Sequence, residues 1–190
     1  MGAGPISSAR TPDELDELIR RSVELDREAF GLVYEEFFPQ IHRFIEYRIG
    51  GNRHIAEDLA SHVFMLALRA IGKYQHRSVA GFRGWIFRIA RNAIADHFRR
   101  SQDLAYDIES HSRHLVDESD DYERIATSDI LGRALEALTP EQAEVIALRF
   151  TQDLSHREIA AIVGKQENAV RALQFRAIAT LRRRLQELDP

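Results

Sequence analysis

Cysteine is absent from this 190-residue chain, which excludes disulfides, thiolate nucleophiles and cysteine-ligated zinc. Lysine is nearly absent: Lys73 and Lys165 are the only two, so arginine makes up almost all of the 26 basic residues. Arginine is the better side chain for gripping phosphates and base edges. No apolar run approaches the ~20 residues that would span a bilayer, and Met1 to Arg10 lacks a basic-then-apolar signal pattern. The expectation is a soluble cytoplasmic protein with no membrane insertion. No stretch alternates with period two, so strands are not expected. No glycine-rich phosphate loop and no nucleophile–base arrangement stands out. The chain therefore reads as a non-enzyme. His111 and His114 have helical ligand spacing, but no third ligand is indicated, so neither a metal nor any other cofactor is expected.

What the chain does have is charge in blocks. The net charge is −4, yet residues 73–100 hold seven bases against the single acid Asp96. Residues 155–186 hold seven bases against two acids, and residues 101–127 between them hold eight acids against two bases. Two cationic segments separated by an anionic one suit two polyanion-binding modules on a tether. Charge alone leaves solvated helix faces equally open.

Helical periodicity dominates. Thr11-Pro12-Asp13-Glu14, Thr139-Pro140-Glu141-Gln142 and Ser155-His156-Arg157-Glu158 are three capping boxes, each opening an amphipathic run. Asp26 is placed to cap a further helix, which Pro39 should interrupt or kink. Gly50-Gly51-Asn52 signals a turn, and a helix is expected from about His54 to Ile71. Gly72 to Gly81 reads as a polar basic loop, followed by a helix from about Phe82 to Arg100. Residues 101–127 lack helical periodicity and large apolar groups, which predicts a flexible acidic linker. The expected fold is all-α: an extension over 1–25 (one packing helix), a domain over 26–100, the linker over 101–127, and a second domain over 128–190.

In the second domain a short capped helix, a turn with Gly164 and a longer basic helix outline a helix-turn-helix. On the wheel of the long helix, Val170, Leu173, Ala177 and Leu181 form the packing side. Asn168, Arg171, Ala172, Phe175 and Arg182 lie opposite, the side that enters a major groove. Arg171 suits a guanine edge or a phosphate, Ala172 and Phe175 suit thymine methyls, and Arg176 and Arg182–Arg184 suit phosphates. A helical hairpin in a bundle is the plainer alternative.

The string Phe82-Arg83-Gly84-Trp85-Ile86-Phe87-Arg88-Ile89-Ala90-Arg91-Asn92 is the most specific in the chain. Ile86, Ile89, Ala90, Ala93 and His97 form its buried stripe. Gly84, Arg88, Arg91, Asn92, Ala95 and Arg99 form the opposite, cationic stripe, beside a loop holding Tyr74, His76 and Phe82. Basic groups interleaved with rings suit single-stranded nucleic acid, because charge follows the backbone and rings stack on bases.

Taken with Ala56-Glu57-Asp58-Leu59, Val63-Phe64, Asp96-His97, Arg99-Arg100, Leu138-Thr139-Pro140 and Leu154-Ser155 through Val170, these strings resemble an extracytoplasmic-function (ECF) sigma factor of the bacterial sigma-70 family. The resemblance spans about Ala29 to Leu185. The string Gly164 to Gln174 is most similar to an actinobacterial subgroup that includes developmental regulators.

The resemblance implies a factor that directs RNA polymerase core to promoters and assists strand opening. It places −10 recognition on Lys73, Tyr74, His76, Arg77, Phe82, Arg83, Trp85, Arg88, Arg91, Asn92 and Arg99. It places −35 recognition on Arg157, Glu167, Asn168, Arg171, Ala172, Phe175 and Arg176, and contact with the polymerase clamp on Glu57, Asp58, Ser61 and His62. The implied partners are core polymerase (clamp and flap), promoter DNA and an anti-sigma protein. A stand-alone helix-turn-helix regulator and a small helical enzyme are the rival readings. The first leaves Phe82–Asn92 unexplained, and the second lacks a site.

Overall fold

In the computed structural model the described residues are 10–107, 134–135 and 137–188, the side chains of 101–107 excepted. They form seven α-helices and a 3-10 turn, and no strand occurs among them. The helices are α1 (Pro12–Val23), α2 (Arg27–Arg48), α3 (Arg53–Ala70), α4 (Val79–Asp107), α5 (Pro140–Gln152), α6 (His156–Val163) and α7 (Glu167–Leu188), with the 3-10 turn over Ile71–Lys73.

Local chemistry sets most of the boundaries. Thr11, Thr139 and Ser155 each close a reciprocal capping box, with Glu14, Gln142 and Glu158. Asp26 caps α2 through the amides of Glu28 and Ala29, and Asn52 caps α3 through that of Ile55. Gly164 ends α6 at φ +70°, a left-handed conformation that suits a residue without Cβ.

Two boundaries differ from expectation. Pro39 does not divide its helix: α2 runs unbroken from Arg27 to Arg48. The proline removes one amide donor, but Val33 and Phe37 before it and Ile41, Phe44 and Ile45 after it are all buried. That packing on both sides outweighs the lost bond. Helix α4 begins at Val79, ahead of Phe82, and runs to Asp107, seven residues past the expected domain boundary. Residues 108–133, the rest of the expected linker and the start of the second domain, lie outside the described residues, as do residues 1–9 of the extension.

Helix α2 is the axis of the first module, packing against α1, α3 and α4. Phe37 meets Phe82 and Phe44 meets Phe87 edge-on, at 5.2 and 5.3 Å between ring centroids, so two aromatic pairs stitch α2 to α4. All four rings are fully buried. Burying each contributes roughly 1.5–3 kcal/mol, and edge-on pairing adds about 0.5–1.5 kcal/mol. Truncating Phe37 to alanine would cost about 3–5 kcal/mol.

The second module, α5 to α7, packs on the first: α5 lies on α2 and α6 on α4. Val145, Leu148, Leu154, Ile159 and Ile162 join the same apolar core as α2–α4. A smaller cluster of Leu138, Ile146 and Ala177, with Leu135, Ile178 and Leu181 beside it, is also reached by Tyr47 of α2.

Candidate nucleic-acid interface

Helix α7 is divided as its wheel indicates. Val170, Leu173 and Ala177 are buried, whereas Asn168, Arg171, Ala172, Phe175 and Arg176 face solvent. Phe175 is 77% exposed, far more than a ring of its size needs for any role inside the protein. Arg157 on α6 is exposed, and Glu167 is half-buried in the first turn of α7, where its carboxylate accepts from Arg171. That exposed pair holds Arg171 weakly and leaves it available. The hairpin is locked from behind: His156 Nε2 lies 2.7 Å from Gln174 Oε1. The Lys165 ammonium in the turn reaches Glu141 at 2.8 Å and holds that carboxyl below its usual pKa. The run Arg182–Arg184 is exposed further along.

The loop between the 3-10 turn and α4 covers residues 74–78. Its first residue is anchored by Tyr74 N–H donating to the Ile71 carbonyl. Its last, Ser78, accepts from Gly81 through its hydroxyl and from Phe82 through its carbonyl, opening α4. Rings gather behind it, with Tyr74 4.7 Å from Trp85 and 5.7 Å from Phe82. Lys73 and Arg77 are exposed, Tyr74 and Trp85 half-buried. Burial pushes the Tyr74 hydroxyl pKa up, against the pull of Arg88 and Arg77. One sequence assignment needs correction. Phe82, expected among the nucleic-acid contacts, is fully buried, because the turn before it points its ring at Phe37. It supports the loop from inside the core.

On α4, Arg88, Asn92 and Arg99 face solvent, as expected. Ala95 on the same stripe is also exposed, whereas Arg91 and Gly84 are half-buried against the second module. Arg91 Nε donates to Glu144 Oε1 at 2.8 Å, and Glu144 is only 6% exposed. A Cβ at Gly84 would sit 4.0 Å from Ile162 Cγ1. Arg83 is half-buried, its Nε buried without a hydrogen-bond partner among the described residues. Arg48 also ties the modules, donating to the Pro140 carbonyl at 3.2 Å. Burial raises the Glu144 carboxyl above its usual pKa, although Arg91 and Arg48 both pull it down. The short ion pair is therefore outweighed by desolvation. Glu144 carries no motif and is the residue that sequence reasoning missed here.

On α3, Glu57, Asp58, Ser61 and His62 are all exposed on one face. Met65 and Leu68, about half exposed, continue it. Both were unmarked in the sequence, although their spacing from Ser61 is helical. Between α3 and α4 a groove of about 340 Å³ is lined by His62, Leu66, Trp85, Ile89 and Asn92 among others. His97, expected on the buried stripe, is half-buried on its wall.

The model of Sigma-70 region 2 matches residues 33–103, and that of Sigma-70, region 4 matches residues 128–181. The ECF RNA polymerase sigma factor BldN of Streptomyces coelicolor is 37% identical over 177 residues, covering 89% of this chain and 65% of that protein. This chain thus spans just under two thirds of that relative's length. The ECF RNA polymerase sigma factor SigD of Mycobacterium tuberculosis is 30% identical over 90% of this chain and 83% of its own. Among solved structures, CnrH in complex with the cytosolic domain of CnrY superposes with a TM-score of 0.71 at 22% identity, over 94% of this chain and 100% of that one. That likeness concerns the fold. The sigma factor RpoE in complex with the anti-sigma factor NepR from Bartonella quintana superposes at 0.63 with 26% identity, over 84% and 95%.

Proposed function

The chain belongs to the ECF RNA polymerase sigma factors, and from that premise we propose that it directs RNA polymerase core to a set of promoters and assists opening of the −10 element. Its role is specificity, not catalysis. The observation that carries the reading is the pairing, in one chain, of an exposed helix-turn-helix face with a cationic helix that borders a ring-backed loop.

Asn168, Arg171, Ala172, Phe175 and Arg176 read the −35 major groove, Arg157 and Glu167 flanking them. Arg171 bonds a base edge, and Phe175 packs on a thymine methyl. Lys73, Tyr74, His76, Arg77, Arg83, Trp85, Arg88, Arg91, Asn92 and Arg99 serve the −10 strand. Arginines follow its backbone and the loop takes an extruded base. Extrusion costs a few kcal/mol, and contacts in the loop offset it. Glu57, Asp58, Ser61 and His62, with Met65 and Leu68 as apolar anchors, face the polymerase clamp. The second module also meets the flap. Each reader is weak alone, and the tether joins them through effective concentration.

In the free chain part of the α4 stripe lies under α5 and α6. Because each reader is weak alone, the free protein binds promoter duplex poorly, whereas its complex with core polymerase binds and opens it. An anti-sigma protein, the kind of partner found with RpoE, would hold the protein back in the cytoplasm. Run-off transcription with core polymerase on a promoter library, paired with gel shifts with and without core, tests the reading. Tight sequence-specific binding by the free protein would instead establish a stand-alone helix-turn-helix regulator.

A further inference from the structure

Helix α1 precedes the residues matched to either sigma region, yet it touches the loop assigned to the −10 base. The loop's two ends are anchored by backbone and capping bonds. In its middle Gln75 and Arg77 are exposed, while His76 turns inward and keeps only 11% of its side chain exposed. Its Nε2 lies 2.8 Å from Asp16 Oδ1 on α1, a contact across 60 positions of sequence.

Asp16 is itself held. Its second oxygen accepts from Arg20 at 2.9 Å, and α1 is seated by Leu15, Leu18, Ile19 and Ser22, all buried. At the C-terminal end of α1, Leu25 reaches the backbone of the 3-10 turn. A Cβ at Gly72 would come 3.0 Å from Leu25 Cδ2. Two separate contacts therefore connect this N-terminal segment to the two sides of Tyr74.

The carboxylate only accepts, so the ring donates to it through Nε2. The other ring nitrogen, Nδ1, is buried with no hydrogen-bond partner among the described residues. The Asp16 bond is thus the one side-chain hydrogen bond that orients this ring among the described residues. Tyr74, with its ring 6.3 Å from His76, stacks onward to Trp85. Moving His76 would move the wall of that ring cluster.

We infer that Asp16 is a positioning residue for −10 selectivity: by holding His76 it sets the shape of the 74–78 loop and hence which extruded base the loop accepts. This rests on the −10 assignment of the loop. The test uses holoenzyme assembled with core polymerase and promoters carrying each base in turn at every −10 position. Asp16→Ala should flatten discrimination at one position by about three- to tenfold, the net worth of one ordinary intramolecular hydrogen bond. His76→Ala should flatten the same position, and the double variant should add nothing further.

Asp16→Asn keeps the acceptor oxygen and should restore the preference. Discrimination at −35 should stay unchanged in all of them. Independently of DNA, Asp16→Ala should shift the emission of Trp85, the sole tryptophan, in the free protein, with little change in melting temperature. If His76→Ala flattens discrimination and Asp16→Ala does not, the positioning role is overturned while the −10 reading stands. A uniform loss on all promoters with Asp16→Ala also overturns it, because that is the mark of a merely structural contact. If neither variant alters any −10 preference, the loop is not the −10 reader and the inference falls with that reading.

Discussion

The two cationic helices, α4 and α7, are built on the same plan and presented differently. Each buries one apolar stripe and turns arginines the other way. On α7 the whole outer face, from Asn168 to Arg176, stands open, with Phe175 unprotected. On α4 the stripe is split: Arg88, Asn92 and Arg99 are open, whereas Arg91 is taken by Glu144 and Gly84 lies under Ile162. A wheel treats these two faces alike. The difference arises because the second module uses its own helices α5 and α6 as a cover for the first. On the assignment proposed above, the −35 face stands open in this structure, whereas the −10 face shares two of its positions with the second module.

The comparison breaks most severely if the open half of the α4 stripe is removed. Arg88→Ala with Asn92→Ala should impair promoter opening by about 2–3 kcal/mol, two hydrogen bonds at 1–1.5 kcal/mol each. Neither side chain is buried, so the fold should survive. A pre-melted bubble template should rescue most of the lost transcription. Permanganate footprinting of unpaired thymines on duplex and bubble templates measures both, and normal opening on duplex would remove these residues from −10 recognition.

The open helix α7 offers the next effect. Arg171→Ala should cost about 1–3 kcal/mol of −35 recognition and relax the preference at one base pair. Polymerase affinity should hold. Competition binding of the holoenzyme to promoters mutated across −35 reads this, and an unchanged preference profile would mean the face is misassigned.

The cover itself sharpens the comparison. Replacing Glu144 by alanine frees Arg91 and leaves a gap between the modules. Non-specific DNA binding by the free protein should rise several-fold and its salt slope steepen by about one. Fluorescence anisotropy of the free protein with duplex DNA over a salt series would show it. An unaltered slope would mean that Arg91 stays covered by other contacts.

The smallest expected effect is with pH. Burial raises the Glu144 pKa above its value in the open or unfolded chain, so the packed form binds that proton more tightly. Its stability is then greatest below the ordinary carboxylate pKa of 4.5 and declines as pH rises through the interval between that value and the raised one. Glu144→Gln, which cannot ionise, should lack that decline. Urea unfolding of the two proteins across the mildly acidic range would separate them, and parallel curves would show that Glu144 does not titrate with packing.

Much of the molecule was legible because its signals are local. The three capping boxes are formed by residues three apart. The packing and solvent sides of α7 follow from helical spacing alone, and Gly164 marks its own turn. Family strings identified the modules. Local signals also set the limits of that reading. Of the interruption or kink expected at Pro39, the interruption does not occur, because propensity weighs the proline and not the five buried side chains around it. The helix through Asp107 extends into a stretch whose composition read as linker.

By itself, then, the sequence determined which segments hold helices, where most of them begin, and broadly which side of each is apolar. Tertiary structure alone decided what lies against those sides. Phe82 became core because α2 brings Phe37 to it, and Arg91 was half-withdrawn because α5 brings Glu144. Asp16 and His76 met because α1 folds back across the 3-10 turn. Periodicity reports that a face is covered but carries no label for its partner. Contacts between residues 45 to 60 positions apart depend on how whole helices dock, and docking is chosen by shape and desolvation summed over the core.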